Sequence, residues 1–261
     1  MTTQLPSPNS LKLDWQHWLG SWDRQQSGYL PDRELRFQVM LDTVSYLLPE
    51  SFTAIDLACG PGSISQRLLN RFPQANCIAI DYDPVLLAIG QGVLSTMGDR
   101  LRWVEADLTQ GSWVESVGEA SVDVVLTTTA LHWLPIDKLV NLYQQLGQII
   151  RPGGLFLNGD HLYFPPYLST FQRLGKLAQT QQEEQAFSVQ KQQDWQQWWQ
   201  AIAQEPELKD LLVERNQRFQ PRFTEHEPTL AIHEAALQEA GFREVSTIWQ
   251  RFADRILLAV R

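Results

Sequence analysis

Two glycines and two aspartates set the chemistry open to this chain. Gly60 and Gly62 follow an apolar run, Thr53-Ala54-Ile55-Asp56-Leu57; Asp81 comes 19 residues after Gly62, and Asp107 follows a third run. Glycine at such a turn lets the main chain approach a ligand that a Cβ would hold off. A helix opening after Gly62 offers free N–H groups to a carboxylate or phosphate. Asp81, ending the second run, is placed to accept from ribose hydroxyls, and Asp107 from an adenine amino group. Gly-x-Gly alone is also what a plain strand-to-helix turn looks like; the two aspartates at the next strand ends favour a nucleoside. His132 and Trp133 follow the fourth run, and His161 and Tyr163 the fifth. His132 acts as a base or substrate contact, or packs beside Trp133. Trp133 shields a cation with its ring face or joins the core. His161 and Tyr163 carry the same pair of readings.

These residues need a scaffold that gathers strand ends. From about residue 53 to 158 short β-branched runs alternate with helical stretches, which predicts βαβ units and a parallel sheet. Strands are expected at 53–57, 77–80, 101–104, 122–126 and 155–157. Asp83-Pro84 reads as the cap and first turn of a helix, another helix is expected near 137–150, and Pro152-Gly153-Gly154 as the turn into strand five. Residues 160–228 lack a strand pattern and hold a Gln-rich helical tract in which Trp195, Trp199 and Ile202 recur at helical spacing. A helix over 230–240, ended by Gly241, precedes two runs at 245–249 and 256–260. The connection between those runs, 250–255, is too short for a parallel crossover and requires a hairpin. That hairpin, with Ser65 where a third glycine would stand, argues against a plain dinucleotide-binding dehydrogenase.

Composition narrows the partners. The chain has 261 residues, 43% hydrophobic, with ten tryptophans and a net charge of −9, which suits a folded protein. Lysines and arginines form no cluster of the kind that neutralises phosphates, so nucleic acid is not the expected substrate. No stretch approaches the roughly 20 apolar residues that cross a bilayer, and Met1–Ser10 lacks a basic-then-apolar leader pattern. Cys59 and Cys77 suggest neither a disulfide framework nor zinc. A cytoplasmic monomer or homodimer, without metal and off the membrane, is expected.

Asp56-Leu57-Ala58-Cys59-Gly60-Pro61-Gly62, Ala79-Ile80-Asp81, Glu105-Ala106-Asp107 and Ile150-Arg151-Pro152-Gly153-Gly154 resemble the ordered motifs of class I S-adenosylmethionine-dependent methyltransferases. The resemblance covers roughly 50–158 and 229–261. Ala58 departs from it, standing where many members have a first glycine. Thr129-Ala130-Leu131-His132-Trp133-Leu134 is similar to a segment of the trans-aconitate and malonyl-carrier-protein methyltransferase branch, whose N-terminal cover would correspond to a helix around Tyr29–Val44. The resemblance implies a Rossmann-like α/β fold with a seven-stranded sheet, mostly parallel with a C-terminal antiparallel hairpin. Residues 1–50 would form a helical cover, 51–159 and 229–261 the core, and 160–228 a helical substrate lid.

By the same resemblance S-adenosyl-L-methionine is the cofactor and S-adenosyl-L-homocysteine the product. Asp81 would hold the ribose, Asp107 the adenine amino group, Gly60 and Gly62 the methionine part, and Tyr82 and Leu108 would flank the adenine. Ala58 and Thr127 complete the cofactor set. Asp56 either orients the cofactor or is a carboxylate satisfied by loop N–H groups. His132 is the catalytic candidate, with Trp133, His161, Tyr163, Trp22 and Tyr29 toward the substrate. In the lid, Trp195, Trp198 and Trp199 stack on an aromatic substrate or seat a helix, and Arg215, Arg218 and Arg222 clamp a carboxylate or lie in solvent. Trp18, Trp22 and Tyr29 cover the cofactor or staple their helix to the core. The segment of amine methylases and the acidic triad of catechol enzymes are both unreadable here, which favours metal-independent O-methylation of a small molecule. N- or C-methylation, and a non-catalytic cofactor-binding protein, are the alternatives.

Overall fold

The computed structural model describes residues 13–30, 32–219 and 228–261. Seven strands form one sheet: β1 Thr53–Leu57, β2 Asn76–Asp81, β3 Leu101–Glu105, β4 Val122–Thr128, β5 Ile150–His161, β6 Glu244–Arg251 and β7 Asp254–Val260. Their order is β3-β2-β1-β4-β5-β7-β6. β1 to β5 pair in parallel, and β7 runs antiparallel to both its neighbours. The chain winds outward from β1 in one direction and from β4 in the other, so a crevice lies beyond their carboxyl ends. Register aligns those ends: Leu57 pairs with Ile80, Asp81 with Glu105, and Thr128 with Gly159.

Strand alternation sends side chains to two cores. One face buries Ala54, Leu126 and Leu157 under α1 (Trp15–Tyr29), α2 (Arg33–Leu47), α3 (Ser63–Arg71) and α4 (Pro84–Val93). The other buries Ile55, Val125 and Phe156 under α5 (Trp113–Val117), α6 (Ile136–Ile149) and a later helix near the hairpin. On α6, Leu139, Leu142, Leu146 and Ile149 are buried, a helical stripe in which each side chain contributes about 1.5–3 kcal/mol. Asp83 caps α4 by accepting from the Val85 and Leu86 N–H groups, with Pro84 in the first turn, as the dipeptide predicts. Between β5 and β6 come α7 (Ser169–Glu183), α8 (Trp195–Ile202), α9 (Lys209–Arg218) and α10 (Leu230–Glu239).

Three expectations are corrected. β5 is one strand from Ile150 to His161 and not a turn followed by a three-residue strand; Gly153 and Gly154 are held in the sheet by main-chain bonds to Arg261. His161 therefore ends the strand, and the core reaches beyond residue 159. The helix expected around Tyr29–Val44 is two helices, broken where Asp32 adopts a φ of 60°. On α8 the buried residues are Trp198 and Ile202, while Trp195 is exposed. Arg222 and Met1–Ser10 lie outside the described residues.

Candidate active site

The glycine loop and Asp81 bond directly. Cys59 N donates to Ile80 O (2.9 Å) and Gly60 N to Asp81 Oδ2 (2.7 Å). Asp81 Oδ1 accepts from the N–H groups of Tyr82 (2.7 Å) and Asp83 (2.8 Å), and its carbonyl accepts from Ala106 N (2.9 Å). Gly60, Asp81 and Asp107 thus share one rim. A carboxylate has about four lone-pair positions; three are used on Asp81, so Oδ2 keeps one. Asp107 Oδ1 accepts from Thr109 N (2.9 Å) and Thr109 Oγ1 (2.7 Å), and Oδ2 takes no hydrogen bond among the described residues. Both carboxylates therefore retain acceptor capacity that a ribose hydroxyl and an adenine amino group fit. Loss of water pushes the Asp81 carboxyl up to about 6, helped by the negative Asp83 and opposed by the three N–H donors.

Ala58, Gly60 and Gly62 have φ of 54°, 54° and 83°, left-handed values that glycine adopts freely and alanine at a cost. Gly62 serves packing as well: a Cβ there would stand 2.8 Å from the Trp103 ring. Asp56 lies beneath the loop, buried, with Oδ2 accepting from Ser65 N (2.9 Å) and Ser65 Oγ (2.7 Å). Burial raises its carboxyl to about 7 against those bonds. Ser65, weighed in the sequence only as a missing glycine, is the residue that ties the end of β1 to α3.

Helices α1, α8 and α9 meet over this half. Arg218 stacks 4.8 Å from the Tyr82 ring and donates to Tyr82 O (2.8 Å) and Glu105 Oε1 (2.6 Å). Arg215 bonds Asp83 Oδ2 (2.6 Å) and lies 3.6 Å over the Trp199 ring. Arg215 and Arg218 are thus neither substrate clamps nor solvated; they fasten α9 to the loop after β2. Trp22 lies over Gly60, where a Cβ would stand 3.6 Å from its ring, and packs 5.1 Å from Trp198. Trp18 packs 5.8 Å from Trp198, whose indole N–H bonds Ser21 Oγ (2.9 Å). Tyr29 accepts from Trp195 N (2.9 Å) through its hydroxyl, with its ring on Phe187. Trp22 and Tyr29, expected toward the substrate, pack α1 against α8 and the residues before it. Leu108 is half-buried at the edge of the second core. Thr127 is buried and, by alternation with Val125, faces the α6 layer and not the rim.

The other half gathers at the ends of β4, β5 and β7. His132 Nδ1 lies 2.6 Å from Asp160 Oδ1, and its main-chain N–H donates to Asp160 Oδ2 (3.1 Å). His161 N donates to Asp160 Oδ1 (2.8 Å), and His161 Nδ1 stands 2.7 Å from Asp254 Oδ1. Burial would raise the Asp160 carboxyl, but His132 and His161 outweigh it and hold it below the usual carboxylate range. Burial likewise opposes charge on His161, yet Asp254 and then Asp160 raise it above the usual histidine value. The two imidazoles are 5.3 Å apart, and Tyr163 stacks 6.3 Å from His161. Trp133, 71% exposed, is no core residue; its ring lies 4.8 Å from His132. Thr129, β-branched, has a φ of 52°, strain of a kind that clusters at functional sites.

Sequence reasoning missed Asp160, Asp254 and Arg36. Their signal is polarity inside apolar patterns: Asp160 continues a strand, and Arg36 sits on the α2 stripe of Phe37, Met40, Leu41 and Val44. A polar cleft of about 420 Å³ between the segment after Asp107 and α6 is lined by none of the rim carboxylates and not by His132. Among the described residues no group of three or more histidine, cysteine or acidic side chains is placed to hold a metal ion. No described helix is long and apolar enough to cross a membrane.

Residues 54–154 match a family model described as a methyltransferase domain. A trans-aconitate 2-methyltransferase from Azoarcus sp. (strain BH72) is 30% identical over 136 residues, covering 52% of this chain and 49% of that protein. The chain thus aligns with about half the length of the curated relatives it matches. The fold is similar to the apo S-adenosylmethionine-dependent methyltransferase SibL (TM-score 0.54, 16% identity, 87% of this chain and 55% of that one). It is also similar to an O-methyltransferase family protein from Burkholderia thailandensis (TM-score 0.53, 18% identity, 95% and 70%). Residues 54–154 thus form a methyltransferase domain, with its motifs on adjoining strand ends and its sheet ending in a reversed strand, in a fold similar to that of S-adenosylmethionine-dependent methyltransferases.

Proposed function

We propose that this protein is a cytoplasmic enzyme that methylates oxygen, on a carboxylate or hydroxyl, of a small-molecule acceptor. The observation that carries this reading is the meeting of two half-sites at one crevice. On one side Asp81 and Asp107 keep lone pairs for a nucleoside; on the other, a histidine is fixed by a buried carboxylate. When bound, the cofactor supplies a methyl group on a sulfonium, already activated for in-line displacement.

The residues of the chain then orient and exclude water. Asp81 takes a ribose hydroxyl on Oδ2, and Asp107 takes the adenine amino group. Such positioning can supply effective molarities of about 10⁵ M or more. Asp160 holds the Nδ1 side of His132, which fixes the ring and leaves Nε2 to face the acceptor. For a hydroxyl acceptor, Nε2 takes the proton. For a carboxylate, which has no proton to lose, His132 orients. Helices α7, α8 and α9 act as the lid, and α1 with α2 as the cover. The similarity to trans-aconitate 2-methyltransferases supports a carboxylate.

The test is incubation with S-adenosylmethionine and a panel of trans-aconitate, simple di- and monocarboxylates and phenols, followed by product mass and release of S-adenosylhomocysteine. A methyl ester or ether is expected. Methylation only on nitrogen or carbon, or tight cofactor binding with no acceptor-dependent release, overturns the reading.

A further inference from the structure

Arg36 is 1% exposed, and its Nε, Nη1 and Nη2 all lack a hydrogen-bond partner among the described residues. Its nearest ion-pair partner, Asp254 Oδ1, is 3.9 Å from Nη1 and stands 2.7 Å from His161 Nδ1. Arg33, one turn earlier and also buried, shows the ordinary solution: its Nη1 bonds Asp23 Oδ1 at 2.7 Å. Burying a cation with five N–H donors and no acceptor is unfavourable unless something else supplies the acceptor.

The place of that guanidinium says what would. A Cβ at Gly159 would stand 3.4 Å from Arg36 Nη2 and 3.5 Å from Thr128 Oγ1, so the fork lies at the ends of β4 and β5, where Thr128 and Gly159 pair. Next along the chain is Asp160, which holds His132. Of the carboxylates gathered there, Asp160 is hydrogen-bonded to His132 and to the His161 main chain, and Asp254 lies closest to His161. Neither gives the Arg36 fork a hydrogen bond. A planar fork of this kind matches a carboxylate through two parallel hydrogen bonds.

We propose that Arg36 anchors a carboxylate of the acceptor, setting specificity for an acid and presenting its reacting oxygen to the side where His132 stands. This rests on the reading that the acceptor is methylated beside His132, and it adds the group that holds the acceptor there. Arg36 is a positioning residue.

Calorimetric titration of the protein loaded with S-adenosylhomocysteine, using trans-aconitate, glutarate and phthalate against their monoamides, tests it. Wild type should bind at least one acid about tenfold or more tightly than its amide, the scale of a charge-assisted hydrogen bond. Arg36→Met should abolish that preference while leaving S-adenosylhomocysteine affinity unchanged. Arg36→Lys, which keeps the charge but not the fork, should retain part of it, and decides the matter if the methionine variant does not fold. Wild type binding acids and amides alike, or no acid at all, overturns the proposal, as does an undiminished preference in the lysine variant or in a folded methionine variant. Product mass is read separately: acids that bind through Arg36 without gaining a methyl group sink the proposed function and leave the anchor standing. With turnover, loss of the anchor raises KM for the acid more than it lowers kcat.

Discussion

The two halves of the rim hold their carboxylates in opposite ways. At the glycine loop, Asp81 and the underlying Asp56 are satisfied by neutral N–H and hydroxyl groups, and their carboxyls are pushed up to about 6 and about 7. At the histidine end, Asp160 is more deeply buried yet held below the ordinary range, because its partners carry positive charge when protonated. Burial raises a carboxyl unless charge answers it. One half thus holds its carboxylates with neutral donors, and the other with a network of imidazoles and a buried guanidinium.

The largest expected effect breaks the first half. Asp81→Ala removes the acceptor for a ribose hydroxyl and for Gly60 N, and should weaken S-adenosylmethionine binding about 10- to 100-fold, since a hydrogen bond to a charged acceptor contributes roughly 1.5–3 kcal/mol. Calorimetry showing unchanged affinity removes the ribose assignment. Next, His132→Ala strands the buried Asp160 carboxylate without its ring partner. It should cost about 1–3 kcal/mol in denaturant unfolding and reduce turnover while cofactor affinity holds; affinity falling in step with turnover would mean the halves are not separable.

Acid sharpens the contrast. A ribose hydroxyl donates to the ionised form of Asp81, so cofactor affinity should fall about tenfold for each pH unit below 6, and titration at pH 5, 6 and 7.5 reads it. Stability responds with opposite signs. The folded-state carboxyls of Asp56 and Asp81 are raised, so their contribution is full below about pH 4 and is lost as pH rises through 6 and 7. That of Asp160 is lowered, so its contribution is present above about pH 4 and is lost on further acidification. Asp81→Asn should flatten the stability curve between pH 4 and 7, and Asp160→Asn below 4; an unchanged curve in either variant removes the contrast. The smallest effect is Ala58→Gly, a gain of about 0.5 kcal/mol in denaturant unfolding, as relief of the left-handed φ is partly offset by a more flexible unfolded chain. A loss would show that the Ala58 methyl packs favourably enough to offset its strain.

The same division explains what the sequence made legible. Asp81 ends its strand and Gly60 and Asp107 follow theirs within a few residues, and parallel pairing with register from β1 to β3 brings them together. Local pattern therefore sufficed, and it predicted the reversed final strand as well. His132 was visible as a candidate for the same reason. Arg36, Asp160 and Asp254 come from α2, β5 and β7, and only tertiary packing unites them. Helix α8 misled for a related reason: spacing picked out Trp199 with Ile202, but Trp198 is the tryptophan buried against α1, because α1, distant in sequence, decides which face of α8 is inside.

Trp22 resting on Gly60 has an optical consequence. A guest at the glycine loop would lie against that indole, so its emission should change with occupancy. The chain holds ten tryptophans, Trp103 against Gly62 among them, and subtracting the response of Trp22→Phe from that of wild type isolates the one over Gly60. Without an added dye, the chain can report on its own filling.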